Sequence, residues 1–333
     1  MASHSIPRQE ARAEVELKPF AAEEVPRLID LWNEVVYTDG SEERYGCMTP
    51  ERFKNRVLDN PNFAPEGAIL AYSQGRLVGF CLVATRREPS PVIDIATLPG
   101  YLSALLVHPQ HRRRGIGSAL LQAGIGYLRR QGKRQIRTGY RNPIPLFVGI
   151  EVEDTAALSF FRAQGFEEEI EWRMRLSLAG FAKDREMEEL RRRLGAEGVE
   201  VHPLQEQEVE DLLALLQAHF AGWYEPMYND AHRGTLELSN LFVARRGEAL
   251  VGFVRVGWSG DTGGVWGIGV APEKRNKGVG TWLLFAALNR LKRAGVETVN
   301  LSTGATNFAA QRIYGKAGFQ KVGAFAIFRK PIG

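Results

Sequence analysis

Apolar and polar positions along the chain follow two successive series that predict the same order of elements. Apolar residues at helical spacing alternate with short strand-like runs in the second half. The predicted elements are a strand at 199–204, a helix at 206–220, strands at 241–245, 249–258 and 265–270, a helix to Ala294, a strand at 298–302, a helix from about Asn307 to Lys316 and a strand ending near Arg329. The first half follows the same series. Strands that alternate with helices around one crossover predict a mixed α/β sheet in each half.

The two halves also repeat each other residue by residue. Residues 101–132 align with residues 264–295 without a gap, and Gly165-Phe166 echoes Gly318-Phe319 further along. The residues shared in the first alignment include Val107/Val270, Pro109/Pro272, Arg112/Arg275, Gly115/Gly278, Gly117/Gly280, Leu120/Leu283 and Gly132/Gly295. The echoes keep their order, which predicts a tandem duplication of one complete domain. The first copy carries an insertion between Arg141 and Ile150.

A glycine loop follows a strand and opens a helix in both halves. In the second half, Lys274, Arg275 and Lys277 come just before Gly278 and Gly280. Glycines let consecutive backbone N–H groups turn toward one point, and the N-terminus of the following helix adds partial positive charge. The loop therefore predicts a pyrophosphate site. Neither half has the spacing of a mononucleotide P-loop, and the third glycine of a dinucleotide fingerprint is missing.

Together these motifs resemble the GNAT superfamily of N-acetyltransferases. The resemblance rests on Arg-x-x-Gly-x-Gly after a strand ending in Val-x-Pro, and on Asn-x-x-Ala-x-x-x-Tyr-x-x-x-Gly-Phe after the next helix. It implies an α/β fold of two tandem GNAT-like domains, each a mixed, mostly antiparallel sheet with splayed central strands flanked by helices. It also implies direct transfer of an acetyl group from acetyl-CoA to a primary amine. The cofactor-binding residues that it implies are Ile268, Val270, Arg275, Asn276, Lys277, Gly278, Val279, Gly280 and Asn307 in the second half, and Leu105, Val107, Arg112, Arg113, Arg114, Gly115, Ile116 and Gly117 in the first.

The halves differ at the residue that the resemblance makes the general acid. Tyr314 would protonate the departing thiolate, whereas Phe161 stands at the matching position of the first half and has no proton to give. Asp154 likewise stands where the second half has Asn307. We therefore expect the chemistry in the C-terminal half, with one or two acetyl-CoA molecules bound per chain.

The general base is left open by the sequence. The strand before the second loop, residues 264–269, has no carboxylate. Candidate proton acceptors in neighbouring loops are Asp261, Glu225, Asp230 and His232. The aromatic segment 220–228 corresponds to the acceptor wall of the family, where its rings could contact an amine-bearing substrate or only pack.

The repeat also predicts the domain boundaries. We expect a flexible tail at residues 1–13, a first domain at 14–178, a linker at 179–198 and a second domain at 199–333. Within the linker, Met187, Leu190 and Leu194 recur at helical spacing among nearly balanced charges, which predicts a charged linker helix.

Composition limits the partners and the location. With 44% hydrophobic and 25% charged residues the chain is typical of globular proteins, and a net charge of +4 is too small to argue for nucleic acid. No stretch approaches the ~20 apolar residues of a membrane span, and the N-terminus lacks the apolar core of a signal peptide. We expect a cytoplasmic protein. Cys47 and Cys81 lack metal-ligand spacing with the histidines, so no metal site is predicted.

Three other possibilities remain open from the sequence. One is a non-catalytic acyl-CoA-binding protein that reports metabolic state. Another is catalysis in the N-terminal half with a structural C-terminal half. In the third, the first half only completes the acceptor cleft or an interface. The acceptor could be a small-molecule amine, an antibiotic, a peptide N-terminus or a lysine. The oligomeric state is not predicted.

Overall fold

The computed structural model describes residues 15–41 and 45–333, so the tail expected at 1–13 lies outside the described residues. The chain divides into two compact units. Unit 1 comprises Met1–Glu168 and Ala326–Gly333, and unit 2 comprises Glu169–Phe325. Among the residues described, no helix combines the length and apolar character needed to cross a bilayer.

Unit 1 contains a mostly antiparallel sheet with helices against it. Its helices are α1 (Val25–Thr38), α2 (Pro50–Phe53), α3 (Ile116–Arg130) and α4 (Thr155–Ala163). Its strands are β1 (Val15–Pro19), β2 (Ala68–Ser73), β3 (Arg76–Ala84), β4 (Gly100–Val107), β5 (Gln135–Arg137) and β6 (Ile150–Glu151). Strands β1 to β4 pair antiparallel in chain order, and β4 pairs with β5 in parallel.

Helix α1 forms where the chain has an apolar residue every three or four positions. Leu28, Leu31, Trp32 and Val35 are all buried, and they belong to the same hydrophobic cluster as Phe80 of β3. This spacing gives one apolar stripe that must be covered by the sheet. The helix is therefore fixed against the face of β3 and β4 that it buries.

Unit 2 repeats this arrangement with one additional helix at its start. Its helices are α5 (Asp184–Ala196), α6 (Val209–His219), α7 (Ala221–His232), α8 (Val279–Arg293) and α9 (Phe308–Ala317). The remaining strands of the chain are β7 (Glu167–Ser177), β8 (Val199–Pro203), β9 (Leu241–Arg246), β10 (Ala249–Ser259), β11 (Thr262–Val270), β12 (Thr298–Gly304) and β13 (Gln320–Pro331). Strands β8 to β11 pair antiparallel in order, β11 pairs with β12 in parallel, and β12 pairs antiparallel with β7.

Both parallel pairs open into a gap. Strand β4 pairs with β5 only at Gly100 and Tyr101, although β4 continues to Val107. Strand β11 pairs with β12 only as far as Gly264, although β11 continues to Val270. The prediction of a mixed, mostly antiparallel sheet with splayed central strands is therefore confirmed.

The compact units differ from the sequence repeats at their last strands. Strand β7 closes the first repeat, yet Glu169 to Ser177 belongs to unit 2 and lies against β12. The end of β13 closes the second repeat, yet residues Arg329 to Pro331 belong to unit 1 and pair with β5. Each unit is thus completed by a strand from the other repeat. The alternation of residues predicts that a segment is a strand, but not which sheet it joins.

The segment with the candidate bases Glu225, Asp230 and His232, expected to lie in a loop, forms helix α7, with Phe220 as its N-cap. Gly222 and Pro226 lie inside this helix, and both residue types are rare in helix interiors because glycine costs backbone entropy and proline lacks an N–H. Because of these two residues, the helix is not recognised from the spacing of apolar residues in the sequence. Glu225, Asp230 and His232 are therefore helical residues, which corrects their assignment to a loop.

Candidate functional site

Each glycine loop, at residues 112–117 and 275–280, contains two residues with left-handed backbone ahead of a helix. Arg113 and Gly115 have φ of 63° and 84°, and Asn276 and Gly278 have φ of 61° and 99°. Gly115 and Gly278 are the N-caps of α3 and α8, and neither helix end is capped by a side chain. The N–H groups of the first helical turn are therefore available to an anion.

Arg112 and Arg275 fix these loops to the preceding strands. Arg112 Nε donates to the carbonyl of Val107 at 3.0 Å, and Arg275 Nε donates to the carbonyl of Val270 at 2.9 Å. Arg112 also donates from Nη1 and Nη2 to the two carboxylate oxygens of Asp39, at 3.0 and 2.7 Å. The sequence predicted these arginines as cofactor contacts. The geometry shows that both also position the loop backbone.

Helix α5, predicted as a charged linker helix, packs against the second loop. Arg193 Nη2 donates to the carbonyl of Lys277 at 2.7 Å. A Cβ atom on Gly278 would lie 2.7 Å from Arg193 Nη2 and 2.9 Å from Leu190. A Cβ atom on Gly115 would meet no described atom within 4 Å. The second loop therefore has an additional guanidinium beside it, whereas the first loop is open.

Asn307 and Asp154 are the N-caps of the helices that carry Tyr314 and Phe161. The Asn307 side chain accepts from Ala310 N at 3.2 Å, and Asp154 accepts from Ala157 N at 3.0 Å. Both therefore stabilise the start of their helix. The Asn307 amide also has an NH₂ group that can donate, which a carboxylate lacks. The first half thus keeps the cap and loses a donor.

The Tyr314 side chain belongs to the apolar core of unit 2. It is 6% exposed, and its ring lies 5.7 Å from that of Phe319. Burial raises the pKa of the Tyr314 hydroxyl to about 12. The hydroxyl therefore keeps its proton across the physiological pH range, as a proton donor must before it acts. Phe161 is also buried, and its ring stacks on Phe328 at 4.5 Å.

A cavity of about 490 Å³ lies along the free end of β4 in unit 1. The predicted cofactor residues that line it are Leu105, Val107, Arg112, Arg113, Gly115 and Gly117. Arg114 and Ile116 are not part of its wall, and the Ile116 side chain is buried in the core. Trp32, Val35 and Phe161 form apolar parts of the wall. The first glycine loop, at residues 112–117, therefore opens onto this cavity.

The insertion between Arg141 and Ile150 is bound to the free end of β4. Asn142 Oδ1 accepts from Ser103 Oγ at 3.0 Å, and Asn142 Nδ2 donates to the carbonyl of Leu102 at 3.0 Å. Phe147 and Ile150 then line the cavity. The sequence predicted the insertion, but only the tertiary structure shows that it closes part of the gap beside β4.

His111 of the cavity wall was missed by sequence reasoning. Burial, followed by the nearby Arg114, lowers the pKa of its imidazole, so the ring is neutral at pH 7. Its Nδ1 is buried and has no hydrogen-bond partner among the described residues. The sequence signal that could have identified His111 is its position directly before the three arginines Arg112, Arg113 and Arg114.

Of the proton acceptors suggested by the sequence, Glu225, Asp230 and His232 lie on helix α7, and Asp261 lies at the start of β11. Asp261 stands before β11, seven residues from Ile268, which is roughly 23 Å at about 3.3 Å per strand residue. Asp261 therefore lies at the end of β11 opposite to the end that leads into the glycine loop. His232 lies at the end of α7, where its ring stacks on Tyr228 at 3.8 Å. Glu225 is buried on the same helix at 8% exposure.

Glu171 of β7 is a carboxylate that sequence reasoning missed. It stands opposite Gly304 in the pairing of β7 with β12. Its Oε1 would lie 3.8 Å from a Cβ atom on Gly304, near the end of β12 that diverges from β11. Burial, followed by the charge of Glu169, raises the pKa of Glu171. No sequence signal marked it, because the repeat assigns this residue to the first half.

Comparison with known proteins agrees with this geometry. The family model described as the acetyltransferase (GNAT) family matches residues 29–166 and 209–319. A mycothiol acetyltransferase of Thermobispora bispora is 28% identical over 290 residues, which cover 80% of this chain and 85% of that protein.

Two solved structures share the fold. One is titled as a GCN5-related glucosamine N-acetyltransferase region in a fungal multi-domain GH3 beta-N-acetylglucosaminidase, with 19% identity and a TM-score of 0.73 over 96% of this chain and 38% of that longer chain. The other, a tandem GNAT protein from the clavulanic acid biosynthesis pathway, has 18% identity and a TM-score of 0.56 over 96% of this chain and 99% of that chain. Because the family model matches both halves over the same elements, this chain belongs to the GNAT family of acetyltransferases and carries two GNAT domains in tandem.

Proposed function

We propose that this protein transfers the acetyl group of acetyl-CoA directly to a primary amine of a small molecule, and that the chemistry takes place in unit 2. The proposal is carried by one asymmetry between matched helices. Tyr314 on α9 can donate a proton, whereas Phe161 at the same place on α4 cannot. The relative named mycothiol acetyltransferase supports a small-molecule acceptor.

The residues of unit 2 divide the binding of acetyl-CoA between loop and strand. The N–H groups at the start of α8, with Asn276 and Gly278 in left-handed backbone, would bind the pyrophosphate. Ile268 and Val270, on the free end of β11, would bind the pantetheine arm through their backbone. Acetyl-CoA supplies a thioester whose carbonyl carbon the amine attacks.

Proton transfers accompany each bond change. The acceptor ammonium loses a proton to a base, and its nitrogen then forms the bond to the carbonyl carbon. The carbon–sulfur bond breaks, and Tyr314 gives its proton to the departing thiolate. The nitrogen, which still carries two protons after the bond has formed, releases one of them as the amide forms, and the Tyr314 phenolate takes up a proton again. The products are an amide and the free thiol of CoA, and one proton is left on the base.

Unit 1 supports a second activity, the binding of a CoA thioester without turnover. The glycine loop of unit 1 has left-handed backbone at the same two positions as the glycine loop of unit 2, and the 490 Å³ cavity begins beside it. Its wall contains Phe161 where an acid would be required. We therefore propose two CoA sites per chain, of which one is catalytic.

Substituting Gly280 with valine tests the loop assignment. A Cβ atom there would lie 3.4 Å from Val270 and 3.7 Å from Ile313, which are ordinary contacts, so the variant should fold. The added branches would occupy space that the pyrophosphate needs close to the backbone, and binding at this site should weaken by about tenfold or more. Calorimetric titration with acetyl-CoA should show two sites becoming one.

The matched control is Gly117→Val in unit 1. A Cβ atom on Gly117 would lie 3.4 Å from Phe160 and 3.7 Å from Val107, so the two substitutions are sterically alike. Gly117→Val should remove the other site and leave acetyl transfer in place. A stoichiometry of two in Gly280→Val would contradict the assignment of the second loop. Activity lost in Gly117→Val and kept in Gly280→Val would move the chemistry to unit 1.

We propose Glu171 as the base that accepts the proton of the acceptor ammonium. Glu171→Gln keeps the shape of the side chain and removes its ability to accept a proton, so kcat should fall by roughly 10²-fold. Because burial raises the pKa of Glu171, the carboxylate is lost as pH falls through a value above 4.5. The acid limb of the kcat profile should follow this ionisation and disappear in the variant. An unchanged acid limb would exclude Glu171 as the base. Glu169→Gln on the same strand should keep the acid limb and move it to lower pH, because the charge of Glu169 helps to raise the pKa of Glu171.

A further inference from the structure

We propose that the cavity of unit 1 binds the acyl chain of a CoA thioester longer than acetyl. The chain would lie between α1 and the free end of β4. This inference rests on the proposed binding of the CoA pyrophosphate by the loop from Arg112 to Gly117. It assigns to unit 1 a ligand different from the acetyl-CoA used in unit 2.

The cavity wall is charged beside the glycine loop and apolar further along α1. Beside the loop the wall contains Gly115, Gly117 and Arg112, and Arg112 is bonded to Asp39 at the end of α1. One to two turns before Asp39, the wall is formed by Trp32, Val35 and Val36, which are apolar and almost fully buried. A ligand that entered at the loop would therefore meet a charged end first and an apolar end last. A CoA thioester has these two ends in this order.

The matching space in unit 2 is filled by aromatic rings. Ala104 and Leu106 of β4 correspond to Gly267 and Gly269 of β11 in the gapless alignment. A Cβ atom on Gly269 would lie 2.6 Å from the Phe220 ring. One on Gly267 would lie 3.1 Å from the ring of Trp223, which follows Phe220. In unit 2 these rings therefore rest directly on the strand.

In unit 1 the cavity lies along the same stretch of strand. Ala104 and Leu106 line it, together with Val35 and Val36 of α1. Phe147 of the insertion forms another apolar part of the wall. The first repeat thus leaves an apolar chamber at the place where the second repeat packs aromatic side chains. A chamber of this kind gains affinity from each methylene that it removes from water.

The expected gain can be stated for each methylene. Full burial of one CH₂ group strengthens binding by about fourfold. Butyryl-CoA has two methylenes more than acetyl-CoA, so it should bind to unit 1 roughly 15-fold more tightly. The site in unit 2 should show no such increase, because Phe220 and Trp223 occupy the matching space.

The test uses the full-length chain with Gly280→Val, in which only the site of unit 1 remains. Calorimetric titrations with CoA, acetyl-CoA, butyryl-CoA and hexanoyl-CoA should give affinities that rise with acyl length. Val35→Phe, which fills the chamber, should lower the ratio of butyryl-CoA to CoA affinity. Tyr37→Trp alters α1 at a side chain that is 76% exposed, and should leave this ratio unchanged.

The outcomes separate this inference from the proposed function. Equal affinities for CoA and all its thioesters would overturn the chamber and leave the loop assignment standing. No binding of any of the four ligands would overturn both. Titration of the unaltered chain covers the case in which Gly280→Val fails to fold. One of its two sites should then depend on acyl length, and that dependence should vanish in Gly117→Val.

Discussion

Tyr314→Phe is expected to slow acetyl transfer by about 10²–10⁴-fold while acetyl-CoA affinity barely changes. The substitution removes only the hydroxyl, so the ring can keep its place 5.7 Å from Phe319 in the core of unit 2. The substitution therefore removes the proton that the departing thiolate requires and leaves the packing of the ring unchanged. Acceptor-dependent thiol release, followed before the steady state, measures this step separately from product release.

The pKa of Tyr314 adds a second expectation for the same residue. Because burial raises this pKa to about 12, the hydroxyl stays protonated up to strongly alkaline pH. The rate of transfer should therefore not fall through ionisation of Tyr314 as pH rises to 10. A loss of activity on the alkaline side below that pH would have to come from another group.

The mirror substitution, Phe161→Tyr, is the matched control. It should add little activity, since Asp154 replaces the Asn307 amide and the insertion between Arg141 and Ile150 closes part of the gap in unit 1. If Tyr314→Phe transferred the acetyl group at the original rate, the acid would have to be another group, such as a bound water, or the chemistry would lie in unit 1.

We expect that neither of the fragments 1–178 and 179–333 folds when each is produced by itself. Fragment 1–178 lacks the end of β13, where Arg329 to Pro331 pair with β5. It also lacks Phe328, which is 2% exposed and stacks on Phe161 in unit 1. Fragment 179–333 lacks β7, which pairs with β12 over seven residue pairs from Thr298↔Ser177 to Gly304↔Glu171. Each fragment would therefore expose an unpaired strand edge, which promotes aggregation. Soluble yield and cooperative thermal unfolding measure the effect.

A different cut provides the control. Fragment 169–325 contains the whole of unit 2, including Glu169 to Ser177 of β7. It should unfold cooperatively where fragment 179–333 does not, although the two are of similar length. Equal behaviour of the two fragments would show that β7 contributes nothing to the stability of unit 2.

Local patterns predicted most of the elements, including the glycine loop and the helix that follows it in each half. The strand, loop and helix around Gly278 appear where the glycines and apolar residues place them, because a helix start and a tight turn depend on neighbouring residues. Helix α7 was missed, since Gly222 and Pro226 interrupt its pattern. Asp261 was a candidate base because of its closeness in sequence to β11, which does not say at which end of the strand the gap lies.

The sequence by itself determined the duplication, the family, and the difference between Tyr314 and Phe161, because each of these depends only on which residues occur and at what spacing. Only the tertiary structure decided which sheet β7 and the end of β13 complete. It alone also brought Glu171 to β12 and left a chamber beside β4 where unit 2 has aromatic rings. The physical reason is that strand pairing and core packing are set by contacts between residues far apart in the chain, and the alternation of a strand is the same whichever partner it finds.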